Sequence, residues 1–243
     1  MFFDRDAWRV PSLGRLISGR YPRPVETIPG HLERLPSGAD RDRAEMLARD
    51  PRERILIAMA EIVAKRGYHG STIEHIVKRA GVSRATFYEH FDNREDCLLA
   101  GFDEAAAELQ GRMEAAAAEA GDWPDQVRAA LAAFLDYAET NPALARTCIV
   151  ESVTAGPVAM DRYERALRTF VPLFRLGREV EEANDELPDE LEDLVIGGLV
   201  WMVHQRLLSN EIDQIPKLLP TMLEFALVPY MGEKRAAAVV AQA

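Results

Sequence analysis

The segment Gly81-Val-Ser-Arg-Ala-Thr-Phe-Tyr-Glu-His-Phe91 constrains the fold more than any other stretch of this chain. Gly81 can take the positive φ that a sharp turn demands. Ser83 suits a helix N-cap, where its hydroxyl accepts a backbone N–H. Phe87 and Phe91 then stand four apart on one helical face, with Val82 leading in. Arg84, Ala85 and Tyr88 fall on the other face and offer a cation, a small gap and a phenol. A short helix with an aromatic anchor and a polar outer face is built to be presented.

The residues before it complete a DNA-reading unit. Asp50-Pro51-Arg52-Glu53 predicts a helix start, with Asp50 as N-cap, Pro51 in the first turn and Glu53 closing a capping box. Ile55, Ala58, Met59, Ile62 and Val63 recur at helical spacing, and Gly67 ends the run. Ser71-Thr72-Ile73-Glu74 repeats the S-x-x-E capping box, and Ile73, Ile76, Val77 and Ala80 follow at helical spacing. The order is helix, helix, tight turn, helix, with three apolar stripes able to share one small core. Such a unit lays its second helix in the major groove while the first crosses the backbone. A three-helix piece of an all-α enzyme is the bland alternative, and the polar outer face argues against it.

The spaced pattern Ala64-x-x-Gly67-Tyr68, Thr72, Ile76, Ala80-Gly81-Val82-Ser83-x-x-Thr86-x-Tyr88-x-His90-Phe91-x-Asn93-Arg94-Glu95 resembles the N-terminal domain of the TetR family of bacterial transcriptional regulators. The resemblance is close from about Pro51 to Gly101 and rests elsewhere on size and helical character. It implies that Thr72 meets a backbone phosphate and that Ser83, Arg84, Ala85 and Thr86 open the recognition helix. Arg84 is the candidate for bidentate guanine contact, with a phosphate contact as the equal alternative. Tyr88 and His90 position phosphates. Lys78 is a weaker DNA candidate. Arg94 stands where the family carries a phosphate-touching lysine, and either cation serves.

Charge divides the chain the same way. Residues 1–50 and 51–100 each carry net +1, whereas residues 101–243 carry −13, giving −11 overall. An acidic whole argues against nucleic acid, but binding depends on the local field, which a near-neutral head with cations on one face can supply.

Asn93 caps the next helix, which runs through the alanine-rich stretch to Gly121 and joins head to body. Beyond it the pattern stays helical. Trp123-Pro124-Asp125 opens one segment, Asn141-Pro142 caps another, and a third runs from about Pro157 to Ala183. A fourth runs from Pro188 to near Asn210, and a fifth follows Asp213. The expectation is an all-α protein with a three-helix helix-turn-helix domain at 51–101 (motif 72–91) and a helical effector-binding and dimerisation domain at 102–243. Leu194–Val203 is apolar nearly all round but too short and too closely flanked by charge to span a bilayer. In the family, two long C-terminal helices pair with their twins, so 189–209 and 213–230 are the expected homodimer surface. Candidate lining of a small-molecule pocket is Phe134, Tyr137, Ile149, Met160, Tyr163, Phe170 and Trp201, each of which plain core packing would also explain. Their character favours an apolar or amphipathic effector. His204 is expected to be a buried histidine satisfied by a neighbour rather than an effector ligand.

No nucleophile elbow, P-loop, dinucleotide fingerprint or H-E-x-x-H occurs, so no catalytic residue and no cofactor is assigned. Cys97 and Cys148 lack metal-ligand spacing, no metal is expected, and the charged N-terminus fits a cytoplasmic protein. Residues 1–50, with five prolines, predict an extended arm or disordered extension, and Arg15, Arg20 and Arg23 suit a minor-groove arm. The function expected is a dimeric repressor released from a near-palindromic double-stranded DNA operator by a small effector. A helical enzyme or lipid carrier that keeps the head for packing is the alternative.

Overall fold

The computed structural model describes residues 50–180 and 187–241, and every regular element among them is helical. Of the arm expected at residues 1–50, residues 1–49, with Arg15, Arg20 and Arg23, lie outside the described residues.

Helices α1 (Pro51–Arg66), α2 (Ile73–Ala80) and α3 (Arg84–His90) close on a common core. Ile55, Met59, Val63, Ile76, Phe87 and Phe91 fill it, joined by Cys97 and Leu98 from α4 (Arg94–Ala118). Phe87 and Ile76 are wholly buried, and each such side chain stabilises the head by about 1.5–3 kcal/mol. Gly81 adopts the left-handed conformation (φ 65°, ψ 37°) that lets α2 stop and α3 begin three residues later. Ser83 caps α3 by accepting the Thr86 N–H at 2.9 Å, and Asn93 caps α4 by accepting the Asp96 N–H at 2.9 Å.

Two expected caps differ. Asp50 sits at the N-cap position of α1 without a side-chain cap bond. At α2 the cap moves one residue on: Thr72 accepts the His75 N–H at 3.2 Å, while buried Ser71 donates its hydroxyl to the Gly67 carbonyl at 2.7 Å. Ser71 is drawn inward because the turn between α1 and α2 leaves that carbonyl needing a donor.

The body begins where α4 meets α5 (Trp123–Thr140), which packs back along it after a short loop capped by Asp122. Then come α6 (Pro142–Arg146), a π-helical turn (Thr147–Glu151) and α7 (Ser152–Ala155). Asn141 does not cap α6 with its side chain; its Nδ2 donates to the Tyr137 carbonyl at 3.2 Å instead. The single helix expected from Pro157 is broken. α8 (Pro157–Arg168) stops, and α9 (Val171–Arg175) and a 3-10 turn (Leu176–Glu179) follow. Pro172 explains the break, since it has no N–H to donate and its ring would clash with the Arg168 carbonyl of a continuous helix. Ala183 lies outside the described residues.

α10 (Leu191–Leu208) and α11 (Leu219–Val240) complete the body. A Cβ on Gly198 would fall 2.6 Å from the Phe225 ring, so glycine there is what lets α11 approach α10. Glu192, 2% exposed, accepts Nε and Nη2 of Arg178 at 2.7 and 3.1 Å and the Tyr230 hydroxyl at 3.3 Å.

Candidate nucleic-acid interface and body cavity

The outer face of α3 stays open because Phe87 and Phe91 consume the opposite side of that helix. Ser83, Arg84, Ala85, Tyr88 and His90 are all exposed, and Thr86 is half-buried beneath them. Tyr88 is 47% exposed, on the side of α3 away from the core that Phe87 and Phe91 fill. The Arg84 guanidinium leans over the Tyr88 ring, 5.8 Å from its centre, and Nη2 lies 3.4 Å from the phenol oxygen. The two side chains brace each other without burying the cation. Thr86 Oγ1 and Ser83 Oγ are 2.9 Å apart, which orients both hydroxyls at the helix start.

Thr72 is exposed at the N-terminus of α2, where free N–H groups and the helix dipole favour an anion. Lys78 is exposed on the same helix, whereas its neighbour Arg79 pairs with Glu61 of α1 at 2.5 Å. Arg94 departs from expectation. Its guanidinium turns inward, donates to the Ser71 carbonyl and stacks 4.1 Å above the Tyr68 ring centre. The aromatic face and the carbonyl suit a planar cation because they offset the cost of its partial desolvation. Arg94 therefore buttresses the turn before α2.

A cavity of about 570 Å³ opens in the body between α4, α5, α6 with its π turn, α8, α9 and α10. Its size and lining are those of a small-molecule site, mostly apolar with a few polar groups. Phe134, Tyr137, Ile149, Tyr163 and Phe170 lie on its wall. Met160 and Trp201 do not. Met160 is turned elsewhere on α8, and Trp201 is 55% exposed on the outer face of α10, stacked on His204 with ring centres 5.1 Å apart. Sequence reasoning missed Phe102, Met113, Leu131 and Leu199, which also line it. They are ordinary apolar positions in helical runs, and nothing in their spacing separates wall from core.

Polar groups on the wall are held neutral or paired. Burial first, then the neighbouring Glu108 carboxylate, pushes ionisation of the Tyr137 hydroxyl upward, and that hydroxyl donates to Glu108 at 3.3 Å. Burial pushes the Cys148 thiol up to about 12, so it stands in the wall as a neutral, weakly nucleophilic group. His204, outside the cavity, is pushed toward its neutral form by burial and then by Arg146. No group of three or more metal-ligating side chains occurs among the described residues, and no described helix is long and apolar enough to cross a membrane.

A tightly packed three-helix unit whose last, capped helix is exposed defines a helix-turn-helix domain. Residues 55–100 match the family described as bacterial regulatory proteins, tetR family. That family's N-terminal domain is thus present in this chain. It is 35% identical over 108 residues to the HTH-type transcriptional activator FasR of Mycolicibacterium smegmatis, across 44% of this chain and 49% of that protein. To the fatty acid metabolism regulator protein of Bacillus subtilis it is 42% identical over 60 residues, 25% of this chain and 31% of that one. These matches thus span about half, and about a third, of the relatives' own length. Both relatives are regulators, and the family is one of regulators rather than enzymes. In fold the chain is similar to the fatty acid degradation regulator FadR of Bacillus halodurans, with a TM-score of 0.69 and 20% identity over 76% of this chain and 98% of that one. It is also similar to FadR of Bacillus subtilis in complex with stearoyl-CoA, with a TM-score of 0.66 and 21% identity over 73% and 98%.

Proposed function

We propose that this protein is a homodimeric, sequence-specific repressor that leaves its operator when an amphipathic, fatty-acyl ligand fills the body cavity. The observation that carries the reading is that α4 is shared. Its first turns place Cys97 and Leu98 in the core of the head, and further along Phe102, Ala105, Leu109 and Met113 form cavity wall. One rigid helix therefore touches both sites, and a ligand that prefers one placement of α4 shifts the population of DNA-competent heads.

The largely apolar wall supports an acyl chain as occupant, as does the likeness of fold to a regulator that holds stearoyl-CoA. Leu194, Gly197, Trp201 and Leu208 form an exposed stripe on α10 that supports self-association there. Two heads about 34–36 Å apart would then read a near-palindrome. Selecting bound sequences from random DNA, then adding stearoyl-CoA, tests the proposal. The expected result is a palindromic site and ligand-dependent release; a tight-binding ligand that leaves DNA affinity unchanged overturns the coupling. The activator identity of the mycobacterial relative favours a second reading, in which the same ligand response raises transcription. A reporter with the selected site upstream of, or overlapping, a promoter separates the two.

A further inference from the structure

The charged groups on the cavity wall are few and lie where the wall meets solvent. They are Asp103 on α4 and Arg162 and Arg165 on α8, whose side chains keep 53%, 30% and 63% of their exposure. The apolar wall behind them is buried at Leu131, Phe134 and Leu199. The mouth thus holds two cations against one anion. Arg165 pairs with Asp161 one turn away at 3.1 Å. Arg162 pairs with Asp103, 59 residues away, so this contact ties α8 to α4.

That tie uses little of what an arginine offers. Nη1 alone reaches one oxygen of Asp103, while Nε is buried with no hydrogen-bond partner among the described residues. A guanidinium presents five N–H donors in a planar fork that matches carboxylate and phosphate oxygens two at a time. A donor left without an acceptor beside an apolar cavity is a cost that a suitable anion removes. Asp103 stays half in water, where an ion pair is weak and easily exchanged.

We infer that Arg162 anchors the anionic head of an amphipathic ligand, and that Asp103 holds its place until the ligand arrives. The inference rests on the reading of the cavity as a ligand site. The incoming carboxylate or phosphate takes the guanidinium fork while the apolar chain occupies the space behind. Asp103 returns to water. The α8–α4 tie is then replaced by a tie from α8 to the ligand, and α4, which carries part of the head's core, loses a constraint. Ligand entry and the position of the head are coupled through one exchange of partners.

Calorimetric titration of the full chain, its Arg162→Gln variant and its Asp103→Asn variant with stearoyl-CoA, stearate and stearyl alcohol tests this. Arg162→Gln is expected to bind the anionic probes about tenfold or more weakly, the scale of losing a bidentate charged contact. It is expected to bind the neutral alcohol as the wild type does, which also shows that the variant folds. Asp103→Asn is expected to bind the anions more tightly, because the competing charge is gone. Loss on both anions assigns a shared recognition of negative charge; loss on stearoyl-CoA alone assigns the phosphates. Unchanged binding of both anions by Arg162→Gln removes the anchor but leaves the cavity reading standing. Failure of the wild type to bind any probe overturns that reading and the anchor together.

Discussion

The Glu151 carboxylate accepts the backbone N–H of Tyr68 at 3.2 Å, a bond between body and head across 83 positions of sequence. It comes from the π-helical turn Thr147–Glu151, whose other members face two ways. Thr147 donates its buried hydroxyl to the Ala60 carbonyl of α1 at 3.1 Å, while Cys148 and Ile149 line the cavity. His69 reaches the Thr154 carbonyl at 3.1 Å just beyond. A π turn stores an extra residue per turn and is rare outside functional segments. Here it lets successive residues address the head and the cavity from one short stretch. Gly67, at φ 71°, takes a backbone conformation that residues with a Cβ rarely adopt, while the space beside Glu151 Oε2 would admit a Cβ at an ordinary 3.4 Å.

Replacing Glu151 by Ala should therefore loosen the head without emptying its core. A hydrogen bond to a charged acceptor contributes about 1.5–3 kcal/mol. Amide exchange at Tyr68 is the direct measurement, and its protection should fall while that of Phe87 persists. Equal protection of Tyr68 in both proteins means the bond does not hold the joint.

On the recognition face, stability and DNA affinity should separate. Arg84 and Tyr88 are exposed and their removal leaves no cavity, so Arg84→Ala and Tyr88→Ala should change unfolding free energy by less than about 0.5 kcal/mol. Arg84→Ala should cost about 1–3 kcal/mol of operator affinity and relax selectivity at one base pair if it reads a base. Lys78→Ala should weaken binding evenly across sequences and lower the salt slope by about 1. Mobility shifts at two salt concentrations distinguish these patterns, and full affinity in Arg84→Ala would sink the assignment of this face.

Much of the head is legible in the sequence because its determinants are local. Gly81, Ser83 and Asn93 act within a turn of their own positions, and the Phe87–Phe91 spacing alone decides which side of α3 stays open. What is not legible depends on partners far along the chain. Ser71 gives up its capping role to a carbonyl four residues back, and Arg94 is captured by Ser71 and Tyr68. Met160 shares helical spacing with the wall residues Tyr163 and Leu167, but periodicity names a face and not what that face meets, whereas Trp201 falls off the spacing of the wall positions Ile196, Leu199 and Val200. The π turn has no composition of its own, so the joint it forms appears only in three dimensions.

The buried Glu192 group predicts an acid-sensitive body. Desolvation would raise the Glu192 pKa, but the Arg178 hydrogen bonds, with Tyr230 assisting, outweigh it and hold the carboxyl below its ordinary value. Its contribution is then fully present above the unfolded carboxylate pKa of about 4.3 and is lost as pH falls through the lower folded value. Arg178→Ala should destabilise by about 3 kcal/mol, since it strands a buried charge, and the acid limb of the stability curve should move to higher pH. Denaturant titrations from neutral pH to pH 3 check this; parallel curves for the two proteins would show that the pair does not control acid stability.

The exposed stripe of α10 predicts an assembly that one side chain can abolish. Leu194 is 65% and Trp201 55% exposed, with Gly197 between them facing open space and Leu208 further along at 38%. A lone helix does not leave a tryptophan and two leucines in water on one side without cost, and burying them against a second copy removes that cost. Gly197 lets the two copies come close, whereas the adjacent Gly198 serves the contact with Phe225 inside the subunit. Tryptophans at the centre of such surfaces typically carry 2 kcal/mol or more, so Trp201→Glu should shift the protein to monomer at micromolar concentration. Its fold should survive, because the side chain contributes nothing to the core described above. Operator affinity should fall with it, since one head alone forfeits the second half-site. Sedimentation velocity reports the first effect and DNA titration the second. A Trp201→Glu protein that still sediments as a dimer places the interface on another surface, and unaltered operator affinity in a true monomer means that a single head suffices.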